Sequence, residues 1–175
     1  NEDNLTDNVT SYDWIKDNIS IGFAASCTGN ITSFTATNTG STVQTATIIV
    51  TAKTAQCTGE SWTFYIKVNP VPTVNAVSSV TYCGDIETTQ INFTGATTGT
   101  VFRWTNDEPE INLGTAGEGN ILPFVTMNNT PNDLVATVTV TPWYGDCPGL
   151  PTSFTITVHP TPYVNVIENK TYCKG

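Results

Sequence analysis

The sequence predicts an all-β protein built from antiparallel β-sandwich units that repeat in tandem about every 90 residues. Three observations predict it. Short stretches alternate β-branched or aromatic residues with polar ones, the pattern of a half-buried strand. Gly, Asn and Pro separate those stretches. The chain also matches itself at one fixed offset. "NPVPTVNAVSSVTYCGD" starts at Asn69, and "HPTPYVNVIENKTYCKG" starts 90 residues later at His159.

Residues 1–85 lie over residues 91–175 without a gap, and 25 of the 85 positions are identical. Trp14 falls on Trp104, Gly29-Asn30-Ile31 on Gly119-Asn120-Ile121, and Phe34 on Phe124. Cys57 falls on Cys147, and Phe64, Ile66 and Val68 on Phe154, Ile156 and Val158. Solenoid units of roughly 20–50 residues lean on their neighbours for a core, whereas a unit of this length can hold its own. The expected domains are 1–72, a sandwich lacking its first strand; 73–162, a complete unit; and 163–175, the start of a third. On this reading the chain is a window on a longer array.

In the complete unit, strands are expected at 73–80, 90–95, 100–105, 121–127, 134–141 and 153–159. Phe102 and Trp104 share one face of the third, and Ile91 and Phe93 one face of the second. In 134–141, Leu134, Ala136, Val138 and Val140 alternate with Val135, Thr137, Thr139 and Thr141, a period of two. In 153–159 the inward set is Phe154, Ile156 and Val158. No stretch has a helical period. Strands with one apolar face each suit two sheets packed face to face. The prolines at 70, 72, 160 and 162 end the last strand of each unit and stiffen its junction with the next.

Composition narrows function. The net charge is −9 with six Lys plus Arg, so no basic patch neutralises phosphates, and nucleic acid is not an expected partner. No apolar run approaches the ~20 residues of a membrane span. The polar, acidic start is not a signal peptide. Five cysteines without Cys-x-x-Cys spacing read as disulfide formers in an oxidising compartment rather than as metal ligands. The periodic pair Cys83 and Cys147 is the expected bridge. Its loop closure is worth roughly 4 kcal/mol in the chain-entropy model. Cys27, which stands where the other copy has Gly117, either pairs with Cys57 or remains free.

Candidate chemistry is sparse. His159, the single histidine, precedes Pro160 and reads as a surface residue rather than a general base. "GTAGEGN" from Gly114 to Asn120 lacks dinucleotide-loop spacing and reads as a turn. Asp107, Glu108, Glu110 and Glu118 read as a solvated acidic loop, with weak calcium binding as the alternative and glycoside hydrolysis a remote one. No cofactor and no catalytic residue are expected. Trp14, Trp104, Phe34, Phe124, Phe64 and Phe154 recur in phase and read as core. Trp62, Trp143 and Tyr144 do not recur; they pack in loops or contact a ligand such as a polysaccharide. Seven Asn-x-Ser/Thr sequons barely exceed what the composition yields by chance and carry no argument.

The segments "VNPVPTVNAVSSVTYC", "INFTGATTGTVFRW", "GNITSFTATNTGSTVQTATIIVTA" and "CPGLPTSFTITVHPTP" resemble the repeats of giant surface adhesins of gliding Bacteroidota, described as PKD-like or immunoglobulin-like β-sandwiches. Residues 1–11 depart from the pattern by lacking Ile-x-Phe-Thr-Gly, and Cys27 departs from it as well. The resemblance implies a cell-surface filament, exported across the outer membrane by a dedicated secretion system. It would be carried by gliding machinery and bind an extracellular surface or polysaccharide, with neighbouring repeats of the same chain in contact. It supplies no catalytic residues. The alternative is a non-catalytic carbohydrate-binding module of a secreted protein.

Overall fold

The computed structural model describes residues 9–175. It is all-β, with two largely antiparallel sheets as expected, and the 90-residue period governs which strand pairs with which. Expectations for the strand status of residues 1–8 lie outside the described residues. By their contacts the residues fall into two compact units. The first runs up to Thr73 and includes Gly95–Val101 and Pro142–Leu150. The second comprises Val74–Thr94, Phe102–Thr141 and Pro151–Gly175.

The first sheet is built from β1 (Ser11–Lys16), β2 (Ser26–Thr28), β3 (Gln44–Lys53) and β4 (Thr58–Val68), in the order β2-β1-β3-β4. All its pairs are antiparallel. The register places Cys27, Trp14, Val50 and Trp62 in one row across the four strands. Between β1 and β2 a single 3₁₀ turn, Ile19–Ile21, is capped by the Asn18 side chain. Around the apolar face, Trp14, Ile21, Ala46 and Ile48 are buried, with Phe23, Ile31, Val50, Phe64, Ile66 and Val68 half-buried against them.

The second sheet contains β5 (Val80–Cys83), β6 (Val101–Asn106), β7 (Ala116–Glu118), β8 (Leu134–Tyr144), β9 (Cys147–Pro148) and β10 (Thr152–His159). Its order is β5-β10-β8-β6-β7, with β9 off β8. Reading β1, β2, β3 and β4 onto β6, β7, β8 and β10 reproduces the first sheet strand for strand. The addition is β5, which lies parallel along the outer edge of β10, Ile156 opposite Val80 and His159 opposite Cys83. This parallel pair departs from the antiparallel expectation. Twelve buried residues form this core, from Ile91 and Phe93 through Trp104 to Phe154, Ile156 and Val158.

Side-chain caps repeat with the strands. Asp17 Oδ1 accepts from Thr47 N–H at 2.8 Å, and Asp107 Oδ1 from Thr137 N–H at 2.6 Å. Asn38 Nδ2 donates to Val68 O at 2.8 Å, and Asn128 Nδ2 to Val158 O at 2.7 Å. Identical residues in the two copies therefore satisfy equivalent backbone groups that the ladders leave unpaired.

Several expected elements differ. Residues 73–79 are not a strand. Val74 and Val77 there, with Val80 at the start of β5, are spaced by three, which a period-two strand cannot put on one face. The layer facing the second sheet, 86–94 and 121–127, holds only the bridges Glu87–Val125 and Ile91–Ile121. Side chains supplement its remaining backbone pairing there: Asn120 Oδ1 accepts from Phe93 N–H, and Thr88 Oγ1 from Phe124 N–H. Pro123 removes a further donor. The stretch 114–120, expected as a turn, contains β7.

Its glycine content has a steric cause. A Cβ on Gly117 would lie 2.6 Å from Trp104 Cε2 and closer still to Cζ2, because the indole covers that backbone.

Candidate functional site

The two apolar faces are covered unequally. Over the second sheet, Phe93 packs on Phe102 and Phe154 with centroids 5.9 and 6.3 Å apart. The equivalents of Phe102 and Phe154 in the first sheet are Tyr12 and Phe64. Tyr12 is 46% exposed, and Phe64 is half-buried. The equivalent of Phe93 is Asp3, outside the described residues. In the row above Phe64, Trp62 lies on the apolar face of β4 and is 76% exposed. Tyr12, Trp62, Phe64, Ile66 and Val68 thus form a partly open apolar strip, bounded by the outer edge of β4. Among the described residues nothing pairs with that edge.

The core candidates divide accordingly. Trp14, Trp104 and Phe154 are buried. Phe34 is half-buried and sits 4.3 Å from the Phe23 ring, while Phe64 and Phe124 pack half-buried against their cores. Trp143 and Tyr144 are consecutive in β8, so they project to opposite faces and do not make a common stacking platform. Both are half-buried. The ring of Tyr144 lies against Gly99, where a Cβ would be 3.6 Å away.

The expected disulfides are not formed: all five cysteines are free thiols. Cys83 is opposite His159, beyond the Leu134–Val158 end of the β8–β10 ladder. Cys147 is opposite Tyr144, beyond the Val140–Thr152 end. A ladder of that length spans about 20 Å, against the 4.4–6.8 Å a disulfide needs between Cα atoms. Cys27 is on β2 and Cys57 precedes β4, at opposite edges of a four-stranded sheet, about 14 Å apart at 4.8 Å per strand.

The carboxylates of the acidic run serve separate local tasks. Asp107 caps the β8 backbone, Glu108 accepts from Glu110 N–H in the 3₁₀ turn Pro109–Ile111, and Glu118 faces Arg103 across β6 and β7 at 3.5 Å. No group of three His, Cys, Asp or Glu residues converges among the described residues. His159 Nδ1 lies 2.6 Å from Asp133 Oδ1, with both side chains about half exposed. The sequence reading missed this pairing because the partner lies 26 residues away.

Electrostatics in the first unit centre on β1. Hydrogen bonds from Lys53, then Thr28, hold the Asp13 carboxyl below its usual range. The Thr47 N–H does the same for Asp17. Lys16 stands where the other copy has Asn106, whose amide donates to the carbonyls of Glu108, Leu113 and Gly114. Lys16 is buried, and its Nζ lies 3.6 Å above the Phe23 ring with no hydrogen-bond partner among the described residues. Burial pushes its pKa down. Beside it, Trp14, Phe23, Cys27 and Ile31 line a pocket of about 110 Å³. A larger depression of about 680 Å³ is lined by Asp85, Asn128, Pro131, Pro160 and Tyr163, among others. No helix among the described residues is long and apolar enough to cross a membrane.

No protein-family model matches the chain, and no curated protein does. Among solved structures it is similar to the FN1–FN3 domains of chicken CNTN1, at 12% identity and a TM-score of 0.35. The match covers 90% of this chain and 60% of that one, so the chain spans less than two thirds of that structure's length. At that TM-score the likeness carries no inference about what the chain does.

Proposed function

We propose that the chain is a structural and adhesive segment of a cell-surface filament, in which β-sandwich units of about 90 residues repeat in tandem. One observation carries this reading. The four strands of the first sheet recur in the second at a single offset, together with the Asp17/Asp107 and Asn38/Asn128 caps. A chain that copies its scaffold while letting other surface residues vary is selected for extension and spacing. The similarity of its segments to Bacteroidota adhesin repeats supports gliding motility or surface attachment as the setting, and the gliding and secretion machinery of the outer membrane as partners. Fab fragments against this chain should detach source cells from the substratum. Unchanged attachment, with the Fab visibly bound, would refute the adhesive role.

A second reading, a non-catalytic carbohydrate-binding module, is favoured by the exposed Trp62 ring on the open apolar strip. It requires retention of the chain on an insoluble polysaccharide and loss of that retention in Trp62→Ala. Equal retention of both proteins would dismiss the ring as the ligand contact.

A further inference from the structure

Two segments of the second 90-residue period, Gly95–Val101 and Pro142–Leu150, fall by their contacts into the first compact unit. Residues 70–73, which follow β4, are what they hold. Pro70 and Pro72 are fully buried while Val71 between them is 60% exposed, the alternation of an extended stretch with both rings on one side. A buried proline strands no N–H, and its fixed φ leaves little backbone freedom to lose on docking.

The two segments grip consecutive carbonyls of this strap. A Cβ on Gly149 would lie 2.9 Å from Pro72 C and closer still to its O. A Cβ on Gly95 would lie 2.9 Å from Thr73 C and again closer to the O. In both glycines the hydrogen that a side chain would replace therefore points at a strap carbonyl, a Cα–H···O contact. Thr73 Oγ1 accepts from Ala96 N–H at 3.1 Å. Gly149 N–H donates to Pro142 O at 2.8 Å, which keeps its hairpin closed beside the strap.

We propose that Gly95–Val101 and Pro142–Leu150 form a binding site for a Pro-x-Pro-Thr segment, which residues 70–73 fill. The site reads three features: two prolines buried without a stranded donor, consecutive carbonyls set against glycines, and a threonine hydroxyl facing an amide. Closing this clasp fixes the path of the chain as it leaves β4, and tension along that path is borne by the clasp. It is a property of the isolated chain and does not depend on what the chain adheres to.

The test is amide hydrogen exchange in the full chain, followed by NMR. Ala96 N–H should be protected in the parent. Gly95→Ala and Gly149→Ala should each speed its exchange about tenfold or more, with the amides of β3 and β10 unchanged. Gly114→Ala, outside the clasp with an ordinary contact at 3.7 Å, should leave Ala96 at the parent rate. Pro70→Ala with Pro72→Ala keeps both glycines and the Thr73 hydroxyl, so it reads the same site even if an alanine at 95 or 149 prevents folding. It too should speed Ala96 exchange about tenfold or more. Each of three results would overturn the proposal: an Ala96 amide that exchanges like an open loop in the parent, variants that leave its rate unchanged, or acceleration shared equally by β3 and β10.

Discussion

Gly117→Cys moves the residue found at position 27 into the equivalent place beneath Trp104. In the second unit that place is occupied by the indole: a Cβ there would lie 2.6 Å from Cε2 and 2.9 Å from Cη2, inside any real contact. Backbone pairing with Trp104 fixes Gly117 in β7, so the ring must leave. Overpacking costs about 1–3 kcal/mol, and losing a buried large aromatic altogether costs about 3–5 kcal/mol. The expected loss is about 3 kcal/mol, which for a unit of this size lowers the unfolding temperature by roughly 15 °C. Calorimetry of the full reduced chain, followed in parallel by tryptophan fluorescence, measures it. The reciprocal Cys27→Gly should cost less than about 1 kcal/mol, the backbone penalty of glycine in a strand, since Cys27 is exposed. A Gly117→Cys shift as small as that of Cys27→Gly would refute the idea that the glycine exists to admit the ring.

Three further outcomes are expected. Asn128→Ala, which leaves the buried Val158 carbonyl without its 2.7 Å donor, should cost about 2 kcal/mol by urea denaturation, and Asn38→Ala at the more open equivalent site should cost less. Asp13 and Asp17 have depressed folded-state pKa values, so their stabilisation is present above the ordinary carboxylate value. It is lost as pH falls through the depressed folded value. Acid titration of Asp17→Asn should therefore show a shallower loss in the first unit than the parent does. Lys16 is the opposite case: its folded pKa is lowered, the unfolded chain binds the proton more readily, and first-unit stability rises as pH climbs from the folded value to the ordinary lysine value. Lys16→Met should raise the unfolding temperature by a few degrees at neutral pH and abolish that rise.

The period was legible because the residues that recur are the ones the backbone depends on. Trp14 and Trp104, Asp17 and Asp107, and Asn38 and Asn128 each occupy the same station in the two copies. Period-two alternation likewise located β8 and β10. The layer at 86–94 and 121–127 was not legible as irregular, because Asn120 and Thr88 satisfy the Phe93 and Phe124 N–H groups through their side chains, and apolar spacing does not record that. Cysteine periodicity misled for a related reason. A 90-residue offset relates equivalent positions in different copies, whereas a bridge requires proximity within one copy, and strand order places Cys83 and Cys147 at opposite ends of a ladder. Of the aromatic candidates, Trp62 is 76% exposed. Trp143 and Tyr144 lie in β8 rather than in a loop, where adjacency in a strand points the two rings to opposite faces.

The surface-filament account is tested most directly by the native polypeptide that carries this segment. An antibody to the chain, applied to a large-pore reducing gel of source-cell surface fraction, should detect a band far above 18.8 kDa that disappears when intact cells are shaved with protease. A band near 18.8 kDa, or one that survives shaving, would contradict it.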